Sequence, residues 1–200
     1  TGTLEVPDYS SGAMHVPDFL ILQDPHRYDL EALIIVTAVM SRQTLGYAMR
    51  FQLEYDVFKG GIWVPEEREV PVAYVVDEQT NALEPVYPTL NRRTTETSVW
   101  SGFQAAEAAV YPIQVYEQTI ALIHTQYGSA SIRMRRAVFL LQQADKHFFT
   151  YYAFANSFQD RLSIRVDQPD YSNMNGALGF FGSLTIDTLA FSIPSDLLPR

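Results

Sequence analysis

The chain has 200 residues, 47% of them apolar, which is enough for a packed core and too many for a disordered segment. Its formal charge of -9 opposes phosphate backbones and anionic lipid surfaces, so no nucleic-acid partner is expected. The absence of cysteine excludes a disulfide framework, a thiol nucleophile and thiolate-held metals.

The length fits one β-rich domain over residues 1–200, with residues 1–30 as an irregular, Pro-rich lead segment. Within that lead, Thr3-Leu4-Glu5-Val6 and Phe19-Leu20-Ile21-Leu22 read as short edge strands. The polar loop from Asp24 to Asp29 offers Asp24, His26 and Asp29 as cation ligands, although loop carboxylates are more often simply solvated. Leu33 to Val39, β-branched and apolar, reads as a central strand.

Thr44 to Phe58 carries the clearest period. Leu45, Tyr47, Met49, Phe51, Leu53, Tyr55 and Val57 share one face, and Gly46, Ala48, Arg50, Gln52, Glu54 and Asp56 share a wet one. Lys59-Gly60-Gly61 turns the chain and Ile62-Trp63-Val64 starts the return. Pro65 to Glu69 then reads as a charged hairpin tip, and Val70 to Val76 as a strand at an edge because of Pro71. Asp77 to Glu84 reads as a turn region. Pro85 to Ser98 reads as a long loop whose Arg92-Arg93 pair is a candidate anion contact.

Gly102 to Ala109 is alanine-rich and is expected to form a short helix. Pro112 to Thr125 alternates and is expected to be a strand, with His124 as a structural residue and a hairpin turn over residues 126–129. Ser131 to Gln142 is ambiguous. Ile132, Met134, Val138 and Leu140 fit a strand only if Arg136 is tolerated on that face, and a helix also fits, because Ala137, Leu141, Ala144, Phe148, Tyr151 and Ala155 follow a four-three spacing. A strand to Leu141 is expected, then a helix capped by Asp145 and running to about Ser157. The aromatic load of that helix is too large for one stripe. Arg161 to Val166 reads as a strand. Leu184, Ile186, Leu189, Phe191 and Ile193 form a closing strand whose slip of phase near Thr188 predicts a bulge.

With several strands, one aromatic-rich helix near the C-terminal third and no βαβ rhythm, the expected fold is mainly β: an antiparallel β-sandwich-like architecture. No catalytic residue, cofactor or metal site is assigned. The four histidines lie in no zinc-protease pattern, no serine sits in a Gly-x-Ser-x-Gly elbow, and Gly176, Gly179 and Gly182 do not have dinucleotide-binding spacing. A carboxylate pair assembled from distant loops stays open. Sugar rings stack their C–H faces on aromatic side chains, so Trp63, Trp100, Tyr151 and Tyr152 are candidate glycan-stacking residues, with core packing as the alternative.

Two stretches carry a family resemblance. Residues 145–152, Asp-Lys-His-Phe-Phe-Thr-Tyr-Tyr, and residues 169–183, Pro-Asp-Tyr-Ser-Asn-Met-Asn-Gly-Ala-Leu-Gly-Phe-Phe-Gly-Ser, resemble the end of a family of Bacteroidetes cell-envelope lipoproteins of unknown function. In that family a Tyr-rich helix precedes a glycine-rich closing motif. Here an extra residue separates Gly176 from Gly179, and the resemblance covers about a quarter of the chain. It implies export, a lipid anchor removed from this chain, and an outer-membrane setting in nutrient acquisition. The expected function is a non-enzymatic binding or accessory module for a partner protein or a glycan. The alternatives are a secreted polysaccharide hydrolase and a structural or adhesion subunit that exchanges residues 166–193.

Overall fold

A computed structural model describes residues 18–23, 30–41, 43–93, 106–157 and 181–193. In chain order they form β1 (Asp18–Gln23), β2 (Leu30–Val39), β3 (Gly46–Lys59), β4 (Ile62–Val70), β5 (Ala73–Val76), β6 (Leu83–Val86), β7 (Asn91–Arg92) and β8 (Ala106–Pro112). Helix α1 (Ile113–Tyr127), a 3-10 turn (Ser129–Ser131), β9 (Ile132–Ala144), α2 (Lys146–Ser157) and β10 (Leu184–Phe191) follow. All strand pairs are antiparallel. The fold is mainly β and sandwich-like, as the strand count predicts; of its two helices, α2 is the expected aromatic-rich one and α1 lies where a strand is expected.

One sheet runs β1-β2-β8. The larger runs β10-β9-β3-β4, with β7 also paired to the start of β3. They share one core: Ile34, Val36 and Ala38 of β2 and Tyr111 of β8 join Met49, Phe51, Leu53, Tyr55 and Val57 of β3 and Phe139 and Leu141 of β9. Phe51 is its hub, stacked on Phe139 at 4.4 Å between ring centres and meeting Tyr111 edge-on at 5.4 Å. The buried Tyr111 hydroxyl donates to the Met49 carbonyl at 2.7 Å, which satisfies a polar group that burial would otherwise make costly.

The expected strand over residues 112–125 is helix α1. Tyr116, Thr119, Ile120 and Ile123 are its buried residues, spaced three, one and three apart, and they face the core as a helical stripe. The same segment also alternates in hydrophobicity, and the helix is the conformation that brings these four residues to one side. Pro112 opens the helix and Gly128, at φ 79°, ends it, so residues 126–129 are a helix terminus and not a hairpin turn. Residues 106–109, expected to be helical, belong to β8.

Pro65 to Glu69 is not a tip but the interior of β4, an edge strand, where a residue without an N–H interrupts no interior ladder. The chain beyond Pro85 is not all loop, since residues up to Val86 lie in β6 and Asn91–Arg92 pair with β3. Gly46 and Ala48, on the face expected to be wet, are buried, and Phe149 of α2 packs on Gly46. No register shift accompanies the phase change in β10. Leu184 and Ile186 face outward, while Leu189 and Phe191 pack on the core.

The expected helix after β9 is confirmed to its cap. Asp145 Oδ1 accepts from the Phe148 amide at 2.7 Å, while Oδ2 accepts from the amide and hydroxyl of Ser183, both at 3.0 Å. One buried carboxylate thus joins the start of α2 to the start of β10. The expected strands at residues 3–6 and 161–166 and the cation loop at 24–29 lie outside the described residues, as do residues 94–98 of the expected loop.

Candidate functional site

The outer face of β3, β4 and β9 is built by a single extra residue. In β9, Glu54 of β3 pairs with Arg136 and Tyr55 with Met134, so Arg135 is bulged out of the register. Before the bulge Ile132 and Met134 pack on the core; after it, Ala137, Phe139 and Leu141 do. That offset removes the difficulty of Arg136 seen in the sequence. Strict alternation would put Arg136 on the core side, whereas the bulge turns it outward onto Glu54.

Charges on this face are paired across strands. Arg136 grips Glu54 through Nε at 2.7 Å and Nη2 at 2.9 Å. Hydrogen bonding to that guanidinium holds the Glu54 carboxyl below the usual range. Arg50 holds Glu69 in the same two-pronged way, with Nε at 2.7 Å. The bulged Arg135 stands 3.7 Å from Asp56, whereas Lys59 meets Glu66 at 2.6 Å on the opposite side, where Lys59 also lies over Tyr127 of α1. Glu54 and Glu67 are directly opposite in register, a like-charge pair that costs stability unless one is compensated, and Arg136 compensates Glu54.

Beside the bulge lies an open cavity of about 290 Å³, lined by Glu54, Pro65, Glu66, Glu67 and Arg135. Trp63 lies two residues before Pro65 on the same strand. Its ring meets Phe58 at 5.2 Å, and the Arg133 guanidinium lies 3.8 Å from its centre. The Trp63 ring is therefore engaged by a cation and by a second ring and is half-buried.

The other candidate aromatics are not gathered here. Tyr151 is exposed and Tyr152 half-buried on α2, which is anchored at Gly46, whereas Trp63 pairs with Phe58 twelve residues further along β3. Strand rise makes that separation roughly 40 Å. Trp63 and the tyrosine pair thus form no common platform. Trp100 lies outside the described residues.

The Arg92-Arg93 pair divides. Arg92 is exposed, while Arg93 staples β7 to the start of β3, its amide donating to Leu45 O at 2.8 Å and its Nη1 to Ser41 O at 2.5 Å. His124 sits half-buried in the last turn of α1, and its carbonyl accepts from the Gly128 amide at 2.8 Å. Among the described residues no group of three or more His, Asp or Glu is placed to hold a metal ion. Among the described residues Asp77 is also held low, by the amides of Gln79 and Thr80.

Sequence reasoning reached Trp63 but missed the cavity, because Pro65 to Glu69 resembled a solvated tip. A partial signal was present: Ile132 and Met134 are even-numbered, whereas Ala137, Phe139 and Leu141 are odd, and a bulge is one way for a strand to change the face it buries. The chain matches no family model, no curated protein and no solved structure in comparisons with each.

Proposed function

We propose that this chain is a non-enzymatic binding module of the cell envelope, with the outer face of β3, β4 and β9 as its ligand face. The observation that carries the reading is the cavity beside the bulge, where Pro65 supplies apolar surface and Glu67 and Arg135 supply an acceptor and a donor, with Trp63 two residues away along β4. Such a mixture suits a hydroxyl-rich glycan, held by side-chain hydrogen bonds. The Glu54 carboxyl, gripped by Arg136 and kept ionised, is suited to holding a ligand and not to donating a proton. The envelope location rests on the resemblance of residues 145–152 and 169–183, with export and lipid anchoring following from it.

A soluble-glycan screen with product analysis tests the reading. Saturable binding without turnover, weakened at least tenfold by Arg135→Ala and by Glu67→Gln, supports it. Turnover abolished by a single carboxylate substitution replaces it with a polysaccharide hydrolase. Sequencing the precursor tests the location: a signal peptide ending in a lipidated cysteine supports export, and a cytosolic start overturns it.

A further inference from the structure

The hairpin of β5 and β6 differs from every other strand pair on the surface. Its root is fixed: the Tyr74 hydroxyl shares a hydrogen bond with Thr119 Oγ1 of α1 at 3.1 Å, and the Val72 amide donates to Val86 O at 2.8 Å. Its turn is ordered by Asp77, whose Oδ1 accepts from the Gln79 amide at 2.7 Å and whose carbonyl accepts from Asn81, a residue at φ 54°. Beyond the root, Val75, Val76, Leu83 and Val86 are between 39% and 56% exposed. Val76 and Leu83 are directly opposed on one face, and alternation puts Val75 and Val86 on the other. A two-stranded ribbon that is apolar on both faces ordinarily needs a further partner.

Its edges differ as well. Among the described residues β5 and β6 pair only with each other. In β6, Pro85 removes an N–H. In β5, Ala73-Tyr74-Val75-Val76 has neither proline nor charge, the usual protections of a free edge, whereas the exposed edge strand β4 has Pro65 and four charged residues. The charge of the hairpin has one sign: Asp77, Glu78 and Glu84 are present, and there is no Lys or Arg from Val70 to Asn91.

We propose that the β5 edge takes up an extended segment of a partner protein in which apolar and basic residues alternate, so that it adds as a third strand. Backbone hydrogen bonds would run along β5; the apolar side chains, all on one face of the added strand, would cover Val76 and Leu83, and its Lys or Arg on the other face would reach over Val75 to Glu84, with Glu78 adding negative charge at the turn. A turn already ordered by Asp77 lowers the entropy lost on docking. Anionic lipid is the poorer fit, because the three carboxylates repel it. This surface is separate from the bulge cavity and stands whether or not that cavity binds a glycan.

The test is fluorescence anisotropy with a labelled peptide of alternating Val and Lys, its Val/Glu counterpart, and phosphatidylcholine/phosphatidylglycerol vesicles. The expected result is saturable Val/Lys binding that weakens with salt, falls at least tenfold in Val75→Lys and severalfold in Glu78→Gln/Glu84→Gln, and is unchanged in Glu66→Gln/Glu67→Gln. Circular dichroism melts confirm that each variant is folded, and the Gln variants carry the test if Val75→Lys is not. Equal binding of the Val/Glu peptide, no Val/Lys binding, or equal loss in Glu66→Gln/Glu67→Gln would each overturn the proposal. Vesicle binding as strong as peptide binding, lost in Val75→Lys, would assign the surface to lipid instead.

Discussion

The ring of Phe149 occupies the space where Gly46 has no side chain: a Cβ built on Gly46 would stand 2.0 Å from Phe149 Cδ2. Glycine is needed here for close approach, since the helix packs on the strand through the missing atom. Gly46→Ala should expel or tilt the ring and cost about 1–3 kcal/mol, as overpacking of a filled core does. Urea denaturation measures the loss. Phe149→Ala in the same chain should recover part of it, because the clash is then gone; strictly additive losses would contradict the close approach.

Asp145 caps α2 and holds Ser183, and it is 1% exposed. Asp145→Ala removes the cap and strands the Ser183 amide, so a loss of about 2–4 kcal/mol is expected. Ser183→Ala removes only the hydroxyl bond and should cost about 1 kcal/mol. Hydrogen exchange separates the two roles. In Asp145→Ala the amides of β10 should exchange faster than those of β3, which lies deeper in the sheet.

Deleting Arg135 should be tolerated, although it removes a residue from an interior strand. The bulge contributes one residue beyond the regular ladder, so its deletion leaves Met134 and Ala137 two positions apart and on the same face. Deleting Leu140 instead would turn Leu141 outward and break the pairing of Gln143 with the start of β3. Thermal melts should therefore show a small shift for the first deletion and loss of the cooperative transition for the second. The first variant also removes a wall of the cavity and should lose ligand binding while remaining folded.

Alkaline stability depends on two core tyrosines. Burial raises the hydroxyls of Tyr111 and Tyr116 well above their ordinary value of 10.0. Unfolded tyrosine releases its proton near that value while the native form keeps it. The stabilisation is complete below pH 10 and is lost as pH rises from there toward the native values. Urea midpoints should stay level to about pH 10 and then fall. Tyr116→Phe should flatten the fall. Tyr111→Phe should do the same while costing about 1 kcal/mol at pH 7, since it also gives up the bond to Met49 O.

Local regularities were legible wherever the chain obeys one period. The alternation through β3, the glycine turn at residues 60–61 and the Asp145 cap each depend on neighbours in sequence, so reading them needs no fold. Helix α1 was misread because its residues satisfy two periods at once. The choice fell to packing, which buries Tyr116, Ile120 and Ile123 together against β2 and β8 only if the segment is helical. The apparent wet face of β3 was likewise changed by a distant element, when Phe149 covered Gly46.

What the sequence by itself determined is a β-rich, acidic, cysteine-free chain with a capped aromatic helix before its last strand. Those properties follow from composition and from contacts a few residues apart. The tertiary structure alone decided which carboxylates meet which arginines, and that Arg135 stands out of register beside Pro65 and Glu67. Pairing of β9 with β3 joins residues as far apart as Glu54 and Arg136, 82 positions, and no local period records that these strands will lie side by side.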